Sequence, residues 1–353
     1  MQNHITITEI AKESGVSIST VSRVLNGNVP VSPDKRERIE ATIRKYNYSP
    51  NALARSLVSR QSMTIGIILP DISNPYFSSM FCEIEKAAHD AGYSILLCNT
   101  LYHSGNSSHV EEDYIQMMLD KHVDGLIIAG GQQDLIQVGK SYLTALKRAA
   151  AVLPLVIIGE KISDIPCLFL DREKTNGITD AIRYLAYLGH KRIAFLGGED
   201  KVKITMKRIA SYQEALSALS LPVEEDLIVL TDYYMMDGYR AANHLLEREI
   251  PFTAALTIND NVALGAIRAF NDKGLCIPED ISLISCERFN ASEFFTPRVT
   301  VIDRHNHHFG RLVIRKLLNI IKGQEETETI DILPELVIRE SCAPVAPNSI
   351  TRA

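Results

Sequence analysis

The chain has 353 residues, enough for two or three domains with complete cores, and its 46% hydrophobic and 23% charged residues match an ordinary globular protein. The formal charge of −6 is unevenly spread: residues 1–62 hold nine Lys/Arg and five Asp/Glu, or +4, leaving −10 for the rest. A basic head on an acidic body suits contact with phosphates at one end only. No run of 18 apolar residues is present, which excludes a membrane-spanning helix, and the opening MQNHITITEI lacks the basic-then-apolar pattern of a leader. Six cysteines (Cys82, Cys98, Cys167, Cys276, Cys286, Cys342) show no C-x-x-C spacing and read as reduced, mostly buried thiols. The expectation is a cytoplasmic protein.

The first elements are three short helices. Thr6-Ile7-Thr8-Glu9 has the form of a capping box, opening a helix from Ile7 to Ser14 with Ile10 and Ala11 inward. Gly15 takes positive φ cheaply and ends it in a tight turn. Ser17 caps a second helix, Ile18 to about Leu25. There Val21, Val24 and Leu25 recur at i, i+3, i+4 as the buried stripe. The opposite face carries Ser17, Ile18, Ser19, Thr20, Ser22, Arg23 and Asn26, short polar groups and one long cation, a face able to enter a major groove. Ser32-Pro33 then starts a third helix, to about Lys45. Asn51-Ala-Leu-Ala-Arg-Ser-Leu57 follows, too short to be a stable helix alone, and Val58–Met63 form a polar linker.

The run AKESGVSISTVSRVLNG followed by NALARSL resembles the lactose-repressor (LacI/GalR) family of bacterial transcription regulators, and the likeness continues to Cys342. The resemblance implies a helix-turn-helix that reads DNA. It also implies a hinge helix placed in the minor groove as a symmetric pair, with Asn51, Ala54 and Leu57 at the DNA and Leu57 wedged between base pairs. The expected partners are thus a second copy of the chain and a pseudopalindromic double-stranded operator.

From Thr64 the pattern changes to apolar strand-like runs alternating with helical segments. One series is 64–69, 93–98, 125–129 and 155–158; a second is 167–170, 192–196, 226–230, 254–258 and 281–285. Such alternation predicts parallel sheets covered by helices, in two subdomains. GRLVIRKLLNIIKG reads as an amphipathic helix and ELVIRES as a last strand; His103–Glu112 reads as a polar surface loop and residues 344–353 as a frayed end. The resemblance implies a bilobed, periplasmic-binding-protein-like α/β core whose chain crosses between lobes near residues 165, 298 and 328. The expected organisation is a small all-α helix-turn-helix head (1–50), a hinge helix and linker (51–63), and an effector-binding and dimerisation domain (64–353).

Ligands of open α/β sheets bind at the carboxyl ends of the strands. The segments there supply Asp71, Tyr76 and Phe77; Asp171 and Arg172; Arg208; Asp232 and Tyr233; Asn259 and Asp260; and Glu287 and Arg288. This is an aromatic, carboxylate and guanidinium set suited to a small polar ligand. The resemblance gives several of them roles. Arg208 in Arg208-Ile-Ala-Ser-Tyr212 would bind effector, Asp260 would take ligand hydroxyls or ring nitrogens, and Tyr233 would stack on the ligand. Two departures stand out. Ser285-Cys286-Glu287-Arg288 puts a cation where the family often has a carboxylate, and Asp171-Arg172 lies one residue further from Gly177 than usual. The candidate effector residues are Asp71, Tyr76, Phe77, Asp171, Arg208, Tyr233, Asp260 and Arg288.

A buried guanidinium needs a partner. Either Glu287 and Asp260 supply it internally, or the effector does, as a sugar phosphate or carboxylate. No catalytic motif of the G-x-S-x-G, H-E-x-x-H, P-loop or G-x-G-x-x-G type occurs, so neither enzyme activity nor a cofactor is expected. His305, His307 and His308 share no helical face, and no metal is expected there. The reading is a DNA-binding regulator, a repressor, controlled by a sugar or sugar phosphate. Its alternatives are a solute-binding receptor without a DNA role, and a catabolite regulator using a protein co-regulator. The latter is disfavoured because the family's Leu-Thr-Lys-Tyr segment is here Ile314-Arg-Lys-Leu317.

Overall fold

The computed structural model describes residues 5–26, 30–46, 48, 61–101, 109–173, 176–288, 294–324 and 332–345, without the side chain of Asn26. The hinge segment with Asn51, Ala54 and Leu57 lies outside them. The chain divides into two compact units, Met1–Met63 and Thr64–Ala353.

In the first unit, α1 (Ile7–Ser14) has its capping box: Glu9 N donates to Thr6 Oγ1 and Thr6 N donates to Glu9 Oε2 at 2.7 Å. Gly15, at φ +65°, closes it and donates to Ala11 and Lys12 carbonyls. Ser17 Oγ accepts from Thr20 N at the start of α2 (Ile18–Asn26), and α3 (Pro33–Tyr46) completes the trio. Ile10, Ala11, Val21 and Ile39 form the small core, with Val24, Leu25 and Ile43 packed against it. The stripe predicted from the i, i+3, i+4 spacing is therefore the inner face. Ser17, Ile18, Ser19 and Arg23 stay exposed, and Thr20 and Ser22 are half-buried.

The second unit holds two sheets. The first is β1 (Thr64–Leu69), β2 (Ser94–Asn99), β3 (Gly125–Ala129), β4 (Leu155–Ile158) and β5 (Leu168–Leu170), in the order β2-β1-β3-β4-β5, all parallel. The second is β6 (Ile193–Leu196), β7 (Ile228–Val229), β8 (Ala254–Thr257), β9 (Ser282–Ser285), β10 (Thr300–Asp303) and β11 (Glu335–Val337), in the order β11-β10-β9-β8-β6-β7. The strands read as near-continuous apolar runs because helices cover both faces. On the first sheet, α4 (Pro75–Asp90) and α11 (Asn306–Ile321) cover one face around Met80, Ile84, Val313 and Leu317. The other face is covered by α5 (Val110–Asp120) and α6 (Lys140–Val152), through Ile115, Met118 and Leu146. The second sheet is sandwiched by α7 (Asn176–Tyr187), α8 (Lys203–Ala218), α9 (Met235–Glu247) and α10 (Asp260–Asp272).

Several expectations are corrected. The 167–170 run closes the first sheet instead of opening the second, since it pairs with β4. A sixth strand, β10, was not anticipated. Its Thr300 breaks the apolar run, yet Thr300 is buried: its N donates to Ser341 Oγ at 2.8 Å and its Oγ1 accepts from Arg339 N at 3.0 Å. The last strand pairs antiparallel with β10, so that sheet is mixed. The crossings follow β5 and β10, several residues beyond 165 and 298, and the third lies between α11 and β11. Residues up to Val345 are docked through Val345 N to Leu188 O (3.0 Å), where fraying was expected. Glu111, assigned to a surface loop, is buried on α5. Two of the six cysteines are buried, two half-buried and two, Cys82 and Cys276, exposed, fewer in the interior than composition indicated.

The tightest packing is between α9 and α10, where Gly238 and Gly265 let the backbones approach. A methyl at Gly265 would strike Met235 O and lie 2.6 Å from Tyr239 N; one at Gly238 would strike Val262 backbone. Backbone cannot step aside as a side-chain tip can. Gly265→Ala should therefore cost at least about 2 kcal/mol, the upper part of the overpacking range, despite the better helix propensity of Ala. Chemical denaturation should show a lowered midpoint at unchanged slope; an unchanged or raised midpoint would mean the helices can separate freely.

Candidate functional site

The carboxyl ends of both sheets face a common cleft. A cavity of about 170 Å³ lies in it, lined by Asp71, Tyr76, Phe77, Asp134, Arg208 and Tyr233 among others. This is room for a ligand of single-ring size. Asn74 caps α4 by accepting from Tyr76 N at 3.0 Å, with Pro75 at the first helical position. That cap sets Tyr76 and Phe77 edge to face, with centroids 4.7 Å apart, on the first lobe's wall. Opposite them stands Tyr233, whose hydroxyl bonds Thr205 Oγ1 at 2.6 Å and whose carbonyl accepts from Asn259 Nδ2 at 2.9 Å.

The cleft is shut. Tyr234 OH donates to Asp71 Oδ2 at 3.2 Å, Lys203 Nζ to Gln133 O at 2.8 Å, and Ile136 N to Lys201 O at 2.8 Å, each from one lobe to the other. Lys207 pairs with Glu160 and, at 3.1 Å, with Asp171.

Beneath the cavity lies a buried ionic cluster. Arg208 Nε and Nη2 bond the two oxygens of Glu173 at 3.1 and 2.9 Å; Nη2 also meets Glu287 Oε1 at 2.6 Å, and Nη1 donates to Ile258 O at 2.6 Å. Arg172 Nη2 straddles both Glu287 oxygens at 3.1 and 3.2 Å, and its Nη1 donates to Asn306 Oδ1. The Arg172 guanidinium lies 4.5 Å over the Tyr76 ring. Arg304 Nη2 reaches Glu173 Oε1 at 3.0 Å and its Nε reaches Glu287 Oε1 at 3.4 Å. Burial alone would raise the Glu287 carboxyl, but Arg172, Arg208 and Arg304 outweigh it and hold it below the usual range. Burial would likewise lower Arg208, yet Glu173 and Glu287 keep it well above its ordinary value.

Of the candidate effector residues, Asp71, Tyr76, Phe77, Arg208 and Tyr233 are brought together on the cavity wall. Asp71 is held by Ser73 N (2.9 Å) and Ser73 Oγ (2.7 Å). Asp171 stands at the rim with Lys207, in an adjoining recess. Asp260 is buried behind the wall; its Oδ1 has no hydrogen-bond partner among the described residues, and burial together with Glu287 pushes it up to about 6. Arg288 is not part of the cleft. It turns to Asp303, 2.6 Å away, because β10 ends beside it, and lines a separate cavity with His305, His307 and His308. Among the described residues no group of three or more His, Cys, Asp or Glu is placed to hold a metal. No described helix is long and apolar enough to cross a membrane.

Sequence reasoning overlooked Asp134, Glu173 and Arg304. Asp134 follows β3 on a single 3-10 turn, Gly131–Asp134; applying the strand-end rule to β3 would have found it. Arg304 follows β10, the strand that was missed.

Asp134 faces the closed cleft with no hydrogen bond among the described residues, and burial pushes it up to about 7 against the partial relief of Lys203. Its folded-state value exceeds the unfolded one. Its contribution to stability is therefore full below the ordinary carboxylate range and lost as pH rises toward 7. Asp134→Asn should leave the melting temperature at pH 3 nearly unchanged, raise it somewhat at pH 5 and most at pH 8, by about 2–4 °C per kcal/mol regained. Calorimetry at these pH values checks this; a fall at pH 8 would mean that the ionised carboxylate is stabilised by Lys203.

Residues 62–340 match the family of periplasmic binding proteins and sugar binding domain of LacI family, and residues 6–51 match bacterial regulatory proteins, lacI family. The HTH-type transcriptional repressor PurR of Histophilus somni (strain 129Pt) is 34% identical over 339 residues, 95% of this chain and 98% of that protein. Catabolite control protein A of Priestia megaterium is 32% identical over 335 residues, with the same shares covered. Among solved structures, the Lac repressor dimer bound to operator and the anti-inducer ONPF superposes with a TM-score of 0.82 at 26% identity, covering 96% of this chain and 99% of that one. With both its head and its core so matched, the chain belongs to the lacI family of bacterial regulatory proteins.

Proposed function

We propose that the chain is a cytoplasmic transcriptional repressor, not an enzyme, that binds a pseudopalindromic operator as a homodimer and is controlled by an uncharged, hydroxyl-rich effector of single-ring size, a monosaccharide in the first instance. The observation that carries the ligand class is the state of Arg208. Four of its five N–H groups are engaged by Glu173, Glu287 and the Ile258 carbonyl. One guanidinium N–H is left, and the cavity is otherwise lined by the carboxyl groups of Asp71, Asp134 and Asp232 and the rings of Tyr76, Phe77 and Tyr233. Carboxylates accept from hydroxyls, and ring faces cover the apolar side of a pyranose. Pairing of the guanidinium within the chain, by Glu287 and Glu173 where Glu287 and Asp260 were expected, is thus favoured over an effector that brings negative charge, and Arg288, the cation standing where the family often has a carboxylate, is engaged elsewhere.

The dimer and its operator rest on the likeness to the Lac repressor dimer bound to operator and on the shape of the head. Ser19 and Arg23 sit at i, i+4 on the open face of α2, and Arg23 has no partner among the described residues. A free guanidinium there can bond guanine bidentately. Arg23→Ala should cost about 1–3 kcal/mol on the specific operator and little on random DNA. Equal losses on both would assign Arg23 to phosphate alone.

A thermal-shift panel of neutral monosaccharides, their phosphates and free nucleobases tests the effector class. A ligand at a hundred times its Kd should stabilise the fold by about 2.7 kcal/mol. Calorimetry should then find the neutral sugar bound and its phosphate rejected. Binding of the phosphate alone, or of a nucleobase alone, would refute the uncharged-sugar reading.

A further inference from the structure

We propose that Glu173 sets the charge class of the effector: from within the chain, its carboxylate occupies the position on Arg208 that an anionic ligand would take. This rests on the reading of the cleft as the effector site, and it names the residue that gives that site its selectivity.

The geometry is that of a bound ligand. Glu173 meets Arg208 side-on, with one oxygen on Nε at 3.1 Å and the other on Nη2 at 2.9 Å, the paired arrangement by which a guanidinium fork holds a carboxylate or phosphate. Glu173 does not come from a strand of the second lobe or from α8. It stands on the first crossing segment, two residues beyond Asp171, and reaches across to α8. Its side chain is 6% exposed and that of Arg208 3%, so no solvent layer is left in which a second anion could share the fork.

The surrounding charges reinforce the exclusion. Three guanidinium groups, Arg172, Arg208 and Arg304, are met by two carboxylates, Glu173 and Glu287, in mutual contact. The cavity above adds Asp71, Asp134, Glu199 and Asp232. An incoming phosphate would meet acidic walls and a cation already paired. Without the Glu173 carboxylate, three buried guanidinium groups would face a single carboxylate, an arrangement too costly to leave uncompensated. Such a site recruits an anion from solution.

The test uses the full-length protein and two small probes, inorganic phosphate and acetate, at constant ionic strength. Wild type and an Arg208→Gln control are compared with the two single Glu173 variants, Glu173→Gln and Glu173→Ala, and with the double variant Glu173→Ala/Arg208→Gln by titration calorimetry and thermal unfolding. Wild type should show no Arg208-dependent phosphate binding. Both single variants should bind phosphate at least about tenfold more tightly than wild type. Acetate should raise the melting temperature of Glu173→Ala, standing in for the missing carboxylate, and the double variant should lose both gains. Should Glu173→Ala fold only when acetate or phosphate is present, the assignment is equally supported.

Three results would overturn it: phosphate binding by wild type that Arg208→Gln removes, single variants that fold and bind phosphate no better than wild type, or a Glu173→Ala protein that neither anion restores. Operator binding measured on wild type with the sugar panel separates this from the effector reading. If no sugar or base changes operator affinity while Glu173→Ala takes up anions at Arg208, the effector reading falls and the assignment of Glu173 stands.

Discussion

Buried charge has to be matched by buried charge, and in the core of this protein that requirement falls on five side chains from four separate stretches. Arg172 and Glu173 come from the first crossing, Arg208 from α8, Glu287 from the end of β9 and Arg304 from the end of β10. No one of them could be kept ionised there alone. Desolvating each ion costs several kcal/mol, and only close multiple pairing returns it. The cluster therefore behaves as a unit, and it sits where the chain passes between lobes. Asn306, at the start of α11 on the first lobe, is joined to it through Arg172, and Tyr76 of α4 through the guanidinium on its ring. The first two crossings between the lobes thus share one buried ionic cluster.

The contacts that shut the cleft are of another kind. Lys207 with Glu160 and Asp171 is about a third exposed, and the Tyr234–Asp71 and Lys203–Gln133 bonds lie at the cavity edge. The part-exposed Lys207 pairs contribute little each, and the two hydrogen bonds add about 1 kcal/mol apiece. Contacts of that strength set no large free-energy gap between a shut cleft and an open one. A ligand shifts such an equilibrium only by its differential affinity for the two. On the proposed reading, a ligand touching both walls at once, Tyr76 and Phe77 on one side and Tyr233 on the other, would provide that difference.

How much of this was legible in the sequence follows from the range of the interaction involved. Local devices were: the Thr6–Glu9 capping box, Gly15 and the Val21-Val24-Leu25 stripe depend on residues within four positions of one another. The strands of the first sheet were legible because two-sided burial demands apolar runs. What could not be seen was set by pairing across the chain. Thr300 reads as polar, but Ser341 and Arg339, some forty residues on, satisfy it and make β10 a core strand. Arg288, just after β9, and Arg208, on the helix after β6, are both cations on segments that follow strands, and the partner decides between them: Asp303 draws one out of the cleft, while Glu173 and Glu287 hold the other in. Glu173 had no local signature at all.

The head poses the opposite electrostatic problem, since its charges must stay available. Three of its nine cations already face carboxylates within the unit: Lys45 meets Glu13 at 2.6 Å, and Arg36 and Arg44 both lie at about 4 Å from Glu40. These pairs are exposed and weak, so phosphate can displace the carboxylates, but the exchange releases fewer counterions than the count of cations implies. Each phosphate neutralised lowers log K by about 0.9 per decade of salt, so these pairs hold the non-specific affinity below what nine freely solvated cations would give. On the proposed reading of α2 as the base-contacting face, base contacts then make up a larger share of the total, which favours discrimination. It also makes one head a weak binder, for which the remedy is a second head on the same DNA. Joining two such heads multiplies their affinities only when the linker holds them at the half-site spacing. A core that changes that spacing can thus switch operator binding without touching a single residue that meets DNA.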